Sequence, residues 1–495
     1  MKKENVVLSM SRAVFVFVLA ALFSLLTAPA SAQKGLVQIS SDPFNNSSSQ
    51  HATEVEPDTF AYGSTFVSAF QTGRIFDGGG ADLGFATSTN GGATWTHGFL
   101  PGITTFYKGG KYTAISDPSV AYDAAHGKWL ITGIAIINGT GVGVTASSSS
   151  DGLTWNNPVS VHQTNGFDDK DWVACDSFAN SPFYGHCYVE WDAAGNGGQV
   201  EMSTSTDGGQ TWSAPFDVPG AFGLGGQPVV MPNGTAVVPF DGNGIQSFTS
   251  TDGGKTWGNL VTVANISDHF EGGDLRAGSL PSAEVDAGGT VYVVWADCRF
   301  RTRCSSNDIV LSTSTNGKTW SAVSRVPTDP VTSTVDHFIP GIAADPATAG
   351  HLALTFYFYP VSNCSVSTCK LGVAFVSSHD GGKTWVQGKI LGQGMNNTWL
   401  ANTSGGYMVG DYISTSFVNG KAYGVFAGAL PPKSGKFREA MYTPNIGMLQ
   451  EGTGPLLSSA NDKPIPGAKS DHPPSQYWDD EHQVPKVPPP SGTHR

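Results

Sequence analysis

Arginine and acidic residues recur where short apolar stretches of this sequence begin or end. Four arginines stand at such boundaries, namely Arg74, Arg276, Arg299 and Arg438. A guanidinium group offers paired, charged hydrogen bonds that match the two oxygens of a carboxylate. If these arginines and the acidic residues near them, such as Asp117, meet at one surface, they form a candidate ligand site. The chemistry therefore depends on the elements that bring them together.

The apolar stretches follow one repeating order, which the unit around residue 300 illustrates. Its segments read SLPSAEVDA, TVYVVWAD, NDIVLSTS and SAVSRVP, and turn-forming residues separate them. Alternating, β-branched segments predict four short strands, and none of these segments has the period of an amphipathic helix. Four antiparallel strands per repeat are typical of a β-propeller blade.

One turn, which joins the third and fourth strands of a unit, occurs six times. STDGGQTW at residues 205–212 returns as STNGGATW, STDGGKTW and SHDGGKTW, and as the shortened copies SSDGLTW and STNGKTW. Their tryptophans lie 45 to 65 residues apart, a repeat length typical of propellers and solenoids. We therefore predict an all-β chain that forms a single β-propeller of four-stranded blades, with seven blades favoured and six as the alternative.

The seventh blade combines the two ends of the repeat region. GLVQIS is a lone strand candidate near the N-terminus, and YMVGDYISTSFV, KAYGVFAGAL and FREAMYTPNI are three candidates after the sixth turn. Pairing the first strand with the last three removes free sheet edges. The propeller is predicted to span residues 33–450.

The repeated turn also predicts which end of each blade carries the charged residues. Strands alternate in direction, so the start of the first strand, the end of the second and the start of the third lie opposite the turn. The polar residues expected there are Glu54, Glu56, Asp58, Arg74, Asp77, Asp117, Asp168, Asp169, Asp171, Asp192, Gln227, Asp241, Arg276, Asp297, Arg299, Arg301, Arg303, Asp336, His337, Asp411, Tyr412, Arg438 and Glu439. Only 14% of the chain is charged, so such a concentration indicates a ligand site at this end.

The turn motif S-x-D-x-G-x-T-W resembles the Asp box, or BNR repeat, of the sialidase superfamily. Within the turn itself, the short side chain of Asp207 accepts backbone hydrogen bonds, glycines allow positive φ, and Trp212 packs beneath it. The motif is therefore predicted to be structural. The resemblance implies a secreted, sialidase-like β-propeller.

The resemblance also implies a function and roles for individual residues. A sialidase-type enzyme is an exo-glycosidase that releases terminal acidic sugars, and it holds the substrate carboxylate with arginines. In that case Asp77 is the acid/base, and Tyr412 or Tyr407 is the nucleophile, assisted by a glutamate such as Glu439. Arg74, Arg276, Arg299 and Arg438, with Asp117, are the predicted substrate-binding set.

The sequence departs from the sialidase pattern at one point. The superfamily's Arg-Ile-Pro motif is replaced by EVEPD at the first strand, with Glu56 before the proline. The alternative function is therefore a non-catalytic propeller that binds carbohydrate or protein at the cell surface. DDKDW at residues 168–172 has the carboxylates of a Ca²⁺ loop, but a solvated loop with Lys170 as internal partner is the favoured interpretation.

The ends of the chain predict export. A basic start, an apolar run and small residues before position 33 are typical of a signal peptide over residues 1–32, and residues 451–495 are proline-rich and predicted to be a disordered tail. We expect a secreted protein, extracellular or periplasmic, with no transmembrane segment after cleavage. Six cysteines fall into three close pairs, Cys175 with Cys187, Cys298 with Cys304 and Cys364 with Cys369, and predict disulfides.

The charge of the chain limits its partners. The net charge is −13, whereas a nucleic-acid surface needs a basic stripe. The expected partner is a glycan or glycoconjugate bound by a monomer. No metal and no other cofactor is predicted.

Overall fold

The computed structural model describes residues 35–448, 456–465, 478–479 and 484–485. The predicted signal peptide lies outside the described residues, as does most of the predicted tail. Among the described residues, no helix is long and apolar enough to cross a membrane.

The described chain consists of short strands and three single-turn 3-10 helices. The strands are β1 (Leu36–Gln38), β2 (Glu54–Tyr62), β3 (Thr65–Arg74), β4 (Gly80–Ser88), β5 (Thr96–Phe99), β6 (Ala114–Asp123), β7 (Lys128–Ile137), β8 (Thr140–Ser149), β9 (Val159–Ser160), β10 (Asp169–Cys175), β11 (Cys187–Ala193), β12 (Gln199–Ser205), β13 (Phe216–Phe222), β14 (Val229–Val230), β15 (Ala236–Gly242), β16 (Gly244–Ser250), β17 (Gly258–Ala264), β18 (Ser282–Val285), β19 (Val291–Asp297), β20 (Asp308–Ser314), β21 (Ser324–Arg325), β22 (Asp336–Ala344), β23 (Leu352–Tyr359), β24 (Leu371–Ser378), β25 (Trp385–Met395), β26 (Ala401–Thr403), β27 (Gly406–Met408), β28 (Ser414–Val418), β29 (Lys421–Ala429), β30 (Glu439–Pro444), β31 (Leu456–Leu457), β32 (Trp478–Asp479) and β33 (Val484–Pro485). The 3-10 helices are Ala194–Asn196, Thr302–Cys304 and Asn397–Trp399.

Antiparallel sheets of four strands dominate the fold, so the all-β prediction is confirmed. Three such sheets follow the chain without a crossover, β10 to β13, β14 to β17 and β18 to β21. β22 to β25 form the same arrangement with β31 added at the edge. The eight-stranded sheet consists of β2 to β5 and β6 to β9, joined where Gly80 pairs with Ile115. Its two halves are again groups of four strands.

The first described strand pairs with the last strand of the repeat region. β1 lies antiparallel to β30, with Leu36 opposite Pro444 and Gln38 opposite Tyr442. The sheet order is β1-β30-β29-β28. This is the pairing that the sequence predicted between GLVQIS and the last three strand candidates.

The middle strands are buried on both faces. Every residue of β19, with the sequence VYVVWAD, is buried, and Trp295 is completely inaccessible to solvent. Side chains of adjacent sheets meet between such strands, as Val237 of β15 does with Val293 of β19 in one apolar cluster. Strands covered on both faces read as continuous apolar runs because neither face meets water.

All six repeated turns begin at the last residue of a third strand, for example at Ser205 of β12 and Ser250 of β16. In the copy that starts at residue 205, the Ser205 hydroxyl donates to Asp207 at 2.9 Å. Asp207 Oδ1 accepts the backbone N–H groups of Gln210 and Thr211 at 3.0 and 2.9 Å. The aspartate therefore satisfies the backbone of its own turn.

Three disulfides connect the predicted cysteine pairs, which confirms that prediction. They are Cys175–Cys187, Cys298–Cys304 and Cys364–Cys369, and the described residues include no free cysteine. The two cysteines of each disulfide are at most 12 residues apart in the sequence, so each disulfide closes a short loop.

Part of the predicted tail contacts the sheets. β31 pairs with β25, and Leu457 lies opposite Trp385. Further along, the carboxylate of Asp462 lies 3.3 Å from Arg325, and the Ile465 N–H donates to the Arg299 carbonyl at 2.8 Å. Residues 456–465 are therefore held against β25 and two arginine-bearing segments.

Candidate functional site

The first strands of three four-stranded groups, β2, β6 and β10, share a bulge that presents a charged residue. Glu56 in β2, Asp117 in β6 and Lys170 in β10 have φ of 57°, 50° and 48°. The pairing with the next strand shifts register at each of these points. A non-glycine residue at positive φ is uncommon, and a bulge redirects a side chain. Equivalent positions of three repeats therefore each carry one charged group.

The bulge also occurs where the residue is apolar. Ile339 in β22 has a φ of 48°, and the ladder to β23 shifts register beside it. Its side chain is 1% exposed and packs in the largest apolar cluster. The bulge thus occurs in the first strands of four of the strand groups, and in three of them, β2, β6 and β10, it carries a charged residue.

Lys170 is the centre of a group of five charged residues. Its Nζ lies 3.0 Å from Asp117 Oδ1, 3.1 Å from Asp411 Oδ2 and 3.4 Å from Glu56 Oε1. Lys170 is 4% exposed. Burial alone would lower the pKa of Lys170, but the three carboxylates raise it above its ordinary value. We call Glu56, Asp117, Lys170, Arg276 and Asp411 the charged cluster.

Arg276 completes the charged cluster through Asp411. Its Nε donates to Asp411 Oδ1 at 3.0 Å, and its second terminal nitrogen contacts Oδ2. Arg276 lies between β17 and β18, and Asp411 follows the hairpin of β26 and β27. The two segments pair, because the Tyr407 N–H donates to Asp274 O at 2.7 Å and the Arg276 N–H donates to Tyr407 O at 2.8 Å. Backbone pairing of two long connections therefore positions this ion pair.

Arg74 contacts the charged cluster through Gln71. The Arg74 guanidinium donates to Gln71 Oε1 and to Gly79 O, both at 3.1 Å. The Gln71 amide donates to Glu56 and, at 2.9 Å, to the Ser116 hydroxyl. Arg74 is 1% exposed, so this link to the cluster is buried.

Two carboxyl groups of the charged cluster have pKa values that differ in opposite directions from the ordinary range. Burial raises the pKa of Glu56 to about 7, although Lys170 opposes this effect. Burial also acts to raise the pKa of Asp411, but Arg276 and Lys170 outweigh it and hold that pKa well below its ordinary value. Near neutral pH, Asp411 is therefore ionised while Glu56 is close to its midpoint.

Tyr412 packs beside the cluster with its hydroxyl occupied. The hydroxyl donates to Pro118 O at 3.1 Å, and Lys170 Nζ lies 4.4 Å from the ring centroid. Trp172 meets the ring edge-on with centroids 5.0 Å apart. Burial, reinforced by Glu56 and other carboxylates, raises the pKa of Tyr412 well above its ordinary value. This environment favours the neutral phenol.

The structure brings together Asp117, Arg276 and Tyr412 from the predicted site, with Arg74 one hydrogen-bonded residue away. Asp77 is exposed and lines a separate cavity, whose lining contains none of the charged cluster. The role assigned to Asp77 stays a prediction.

The other predicted residues lie in different surroundings. Glu439 is 2% exposed and accepts the Ala401 N–H at 2.7 Å, and burial raises its pKa well above its ordinary value. Arg299 Nε donates to Asp297 at 2.8 Å, and Arg438 is exposed. Their catalytic and binding roles stay predictions.

One group among the described residues has metal-ligand spacing. Asp308, Asp329 and His337 have ligand atoms within 4.8 Å of one another. Two arginines already contact these carboxylates, however, since Arg325 Nε lies 2.8 Å from Asp308 and Arg301 lies 2.7 Å from Asp329. Guanidinium charges repel a metal cation, so this group fits an ion-pair network better than a metal.

Lys170 is the residue whose role the sequence did not reveal. The sequence predicts a solvated loop with Lys170 as internal partner, and this prediction is wrong. Lys170 lies buried against residues from three other segments. A local signal exists, because Glu56-Pro57 and Asp117-Pro118 occupy the same place in successive units. In β10, however, Lys170 is followed by Asp171 and not by proline, so this dipeptide does not extend to the third unit, and its positive φ in the structure is what shows that Lys170 occupies the equivalent position.

Comparison with known proteins adds the following. The family model described as BNR repeat-like domain matches residues 139–338. No curated protein matches the chain significantly. An ulvan lyase described as a new family of polysaccharide lyase is 13% identical, covering 86% of this chain and 98% of that chain, with a TM-score of 0.47.

Two further structures are similar at comparable levels. The intramolecular trans-sialidase from Ruminococcus gnavus is 14% identical, covering 79% of this chain and 93% of that chain, with a TM-score of 0.39. An α-L-arabinofuranosidase from Podospora anserina is 12% identical, covering 70% of this chain and 95% of that chain, with a TM-score of 0.36. The resemblance to BNR-repeat proteins that the six turns predicted is confirmed by the family match over residues 139–338.

Proposed function

We propose that the chain is an exported, glycan-active β-propeller whose charged cluster binds an acidic sugar. Seven blades are supported by seven groups of four strands, which are β2–β5, β6–β9, β10–β13, β14–β17, β18–β21, β22–β25 and β28–β30 with β1. Export is supported by the predicted signal peptide and by three disulfides, which persist in oxidising compartments.

The observation that carries the functional proposal is the geometry of the charged cluster, in which Lys170 Nζ lies 3.4 Å from Glu56 and 3.1 Å from Asp411, and the shifted pKa values of these two carboxyl groups support it. The pKa of Glu56 is raised to about 7, while that of Asp411 is lowered. Two carboxyl groups with divergent pKa values can divide the acid and base roles in cleaving a glycosidic bond. Glu56 is the candidate proton donor, and Asp411 is the candidate base.

The open side of the charged cluster suits an acidic ligand. The side chains of Arg276 and Asp411 are each 10% exposed, whereas those of Lys170, Asp117 and Glu56 are 5% exposed or less. A ligand carboxylate would therefore meet Arg276 first and would compete with Asp411 for its paired donors. The finer proposal is an exo-glycosidase of sialidase type that releases a terminal acidic sugar.

A specific observation favours the alternative of non-catalytic binding. The Tyr412 hydroxyl donates to the Pro118 carbonyl, and Arg276 is engaged by Asp411. A nucleophile with an occupied hydroxyl and a raised pKa is poorly activated. A propeller that binds acidic glycans without cleaving them fits this geometry.

Activity and binding assays on the exported chain distinguish the two functions. Fluorogenic sialosides and uronosides are incubated with the protein between pH 4 and pH 8, and calorimetry measures binding of the free acids. An enzyme shows turnover that declines above about pH 7 as Glu56 loses its proton. A binding protein shows heat of binding without turnover. If the chain is folded, as its circular dichroism spectrum shows, but gives neither turnover nor heat of binding, both proposals are overturned.

A matched pair of arginine variants locates the site. Arg276→Gln is expected to weaken binding, or kcat/KM, by about 10- to 100-fold, because a charged hydrogen-bond donor to the ligand is lost. Arg303→Gln changes an exposed arginine in the Cys298–Cys304 loop and should leave both unchanged. Equal effects of the two substitutions would exclude the charged cluster as the site.

A further inference from the structure

A second cavity, distinct from the charged cluster, lies among the connections of β3, β6, β7 and the β26–β27 hairpin. Its volume is about 530 Å³, within the range of small-molecule sites. Its lining includes Phe106, Asp77, Asn138, Thr113, Ser404 and Ile75. We propose that this cavity binds a neutral pyranose unit of a glycan.

Backbone and side-chain hydrogen bonds hold the walls of the cavity in place. The Ile75 N–H donates to Gly79 O at 2.8 Å within the β3–β4 connection. The Ser404 N–H in the hairpin donates to Phe76 O at 3.1 Å, and the Asn138 N–H donates to the Thr113 hydroxyl at 2.8 Å. The cavity is therefore formed before any ligand arrives, which reduces the ordering cost of binding.

The hairpin wall is also tied to the first part of the chain. The Gln50 amide donates to Asn402 O at 2.7 Å and accepts the Asn402 N–H at 3.0 Å. This paired contact fixes β26 beside residues that precede β2. Ser404 consequently keeps its position in the cavity wall.

The chemistry of the lining suits a sugar ring. Phe106 is half-buried and offers an apolar ring on which the C–H face of a pyranose packs. Asp77 and Asn138 are exposed within the cavity, and with the Ser404 hydroxyl they supply acceptors and donors for sugar hydroxyls. An apolar surface combined with a few polar groups is the usual composition of a small-ligand pocket.

The charge of the lining selects neutral sugars. Asp77 is the one charged side chain among the lining residues described. A carboxylate repels an anionic sugar and accepts hydrogen bonds from neutral hydroxyls. The charged cluster, in contrast, holds Lys170 and Arg276. The two sites therefore differ in the sugars that they accept.

The test measures sugar binding by saturation-transfer NMR on the exported chain. Methyl glycosides of glucose, galactose and N-acetylglucosamine are the neutral probes, and methyl glucuronoside is the acidic probe. We expect at least one neutral probe to bind and Phe106→Ala to weaken it at least about fivefold. Phe270→Ala, which removes a 55% exposed aromatic side chain from another loop, should leave binding unchanged.

A second set of variants tests the charge selection independently of the first site. In an Arg276→Gln background, which disables the charged cluster, Asp77→Asn should improve binding of methyl glucuronoside relative to the neutral probe. Neutral-probe binding should itself be unaffected by Arg276→Gln, so failure of the acidic-sugar proposal leaves this result interpretable. Absence of neutral-probe binding, or equal binding in the Phe106→Ala and Phe270→Ala variants, would overturn the inference.

Discussion

Two carboxyl groups at opposite ends of the sheets, those of Asp207 and Glu54, have pKa values shifted in opposite directions. In the repeated turns, slight burial acts to raise the pKa of Asp207, but hydrogen bonds from Thr211, Ser205 and Gln210 outweigh it and lower the pKa. At the other end, burial raises the pKa of Glu54 to about 8, despite a hydrogen bond from Ser40. The same type of group is thus stabilised in its charged form by its own turn and in its neutral form by burial.

The two ends also differ in how far along the chain a carboxylate lies from the groups that keep it ionised. Asp207 is satisfied by residues within four positions of itself. Asp411, on the charged-cluster side, depends on Lys170 and Arg276, which come from distant segments. A local partner can stabilise a turn alone, whereas distant partners require the whole arrangement of strands.

The largest effect is expected from Lys170→Met. The substitution leaves Glu56, Asp117 and Asp411 buried without their shared cation, and breaking a buried ion pair in this way costs about 3–5 kcal/mol of unfolding free energy. Urea denaturation at pH 7 measures the loss. Lys255→Met, at an exposed lysine in a repeated turn, is the control and should change stability by no more than about 0.5 kcal/mol. Similar losses of unfolding free energy for Lys170→Met and Lys255→Met would contradict the claim that the charged cluster, and not the repeated turn, depends on its lysine.

An intermediate effect is expected from Glu54→Gln as the pH changes. Because the folded-state pKa of about 8 exceeds the ordinary 4.5, the folded state binds more protons between those values, and stability falls as pH rises through this window. A pKa difference of one corresponds to about 1.4 kcal/mol. Glutamine cannot titrate, so the variant should gain about 2–4 kcal/mol relative to the parent between pH 5 and pH 8.

Denaturation curves of both proteins at several pH values test this expectation. Asp274→Asn, which changes an exposed carboxylate with a positive φ that asparagine tolerates, serves as the control and should follow the parent. Parallel curves for Glu54→Gln and the parent would show that burial does not keep this carboxyl protonated.

The smallest effect is expected from Asp207 in the repeated turn. Asp207→Ala removes the acceptor of two backbone N–H groups and should cost about 1 kcal/mol. Asp207→Asn should cost less than half as much, because Asn90 and Asn316 occupy the same position in two natural copies. Chemical denaturation measures both variants. An asparagine variant as unstable as the alanine variant would mean that the charge, and not the acceptor oxygen, holds the turn.

The features that the sequence predicts correctly are local or repeated. Each copy of the turn is at most eight residues long, and the two cysteines of each disulfide are at most 12 residues apart. Apolar and polar residues of the strand candidates alternate within short windows. The pairing of the lone first strand candidate with the last three follows from the removal of free sheet edges, and the structure shows that its partner is β30. Each of these predictions needs only neighbouring residues or a count of repeats.

The charged cluster could be predicted only in part. The sequence places Asp117, Arg276 and Asp411 at the same end of the sheets, but it does not show which of them touch. Their contact depends on the pairing of Arg276 with Tyr407 between two connections that have no repeated pattern. The positive φ of Lys170, which turns its side chain toward three carboxylates, is likewise set by tertiary structure.

The pairing of β1 with β30 has a consequence for the life of the chain. Leu36 is translated long before Pro444, yet the two residues are partners in one ladder. Contacts of such long sequence separation form late and slow folding. Until β1 pairs, the sheet of β28 to β30 lacks its edge strand, which leaves the backbone groups along β30 unpaired and open to aggregation. Cleavage of the chain just after β1, with loss of that strand, would expose the same edge of β30 in the folded protein, although the cut lies far from β30 in the sequence.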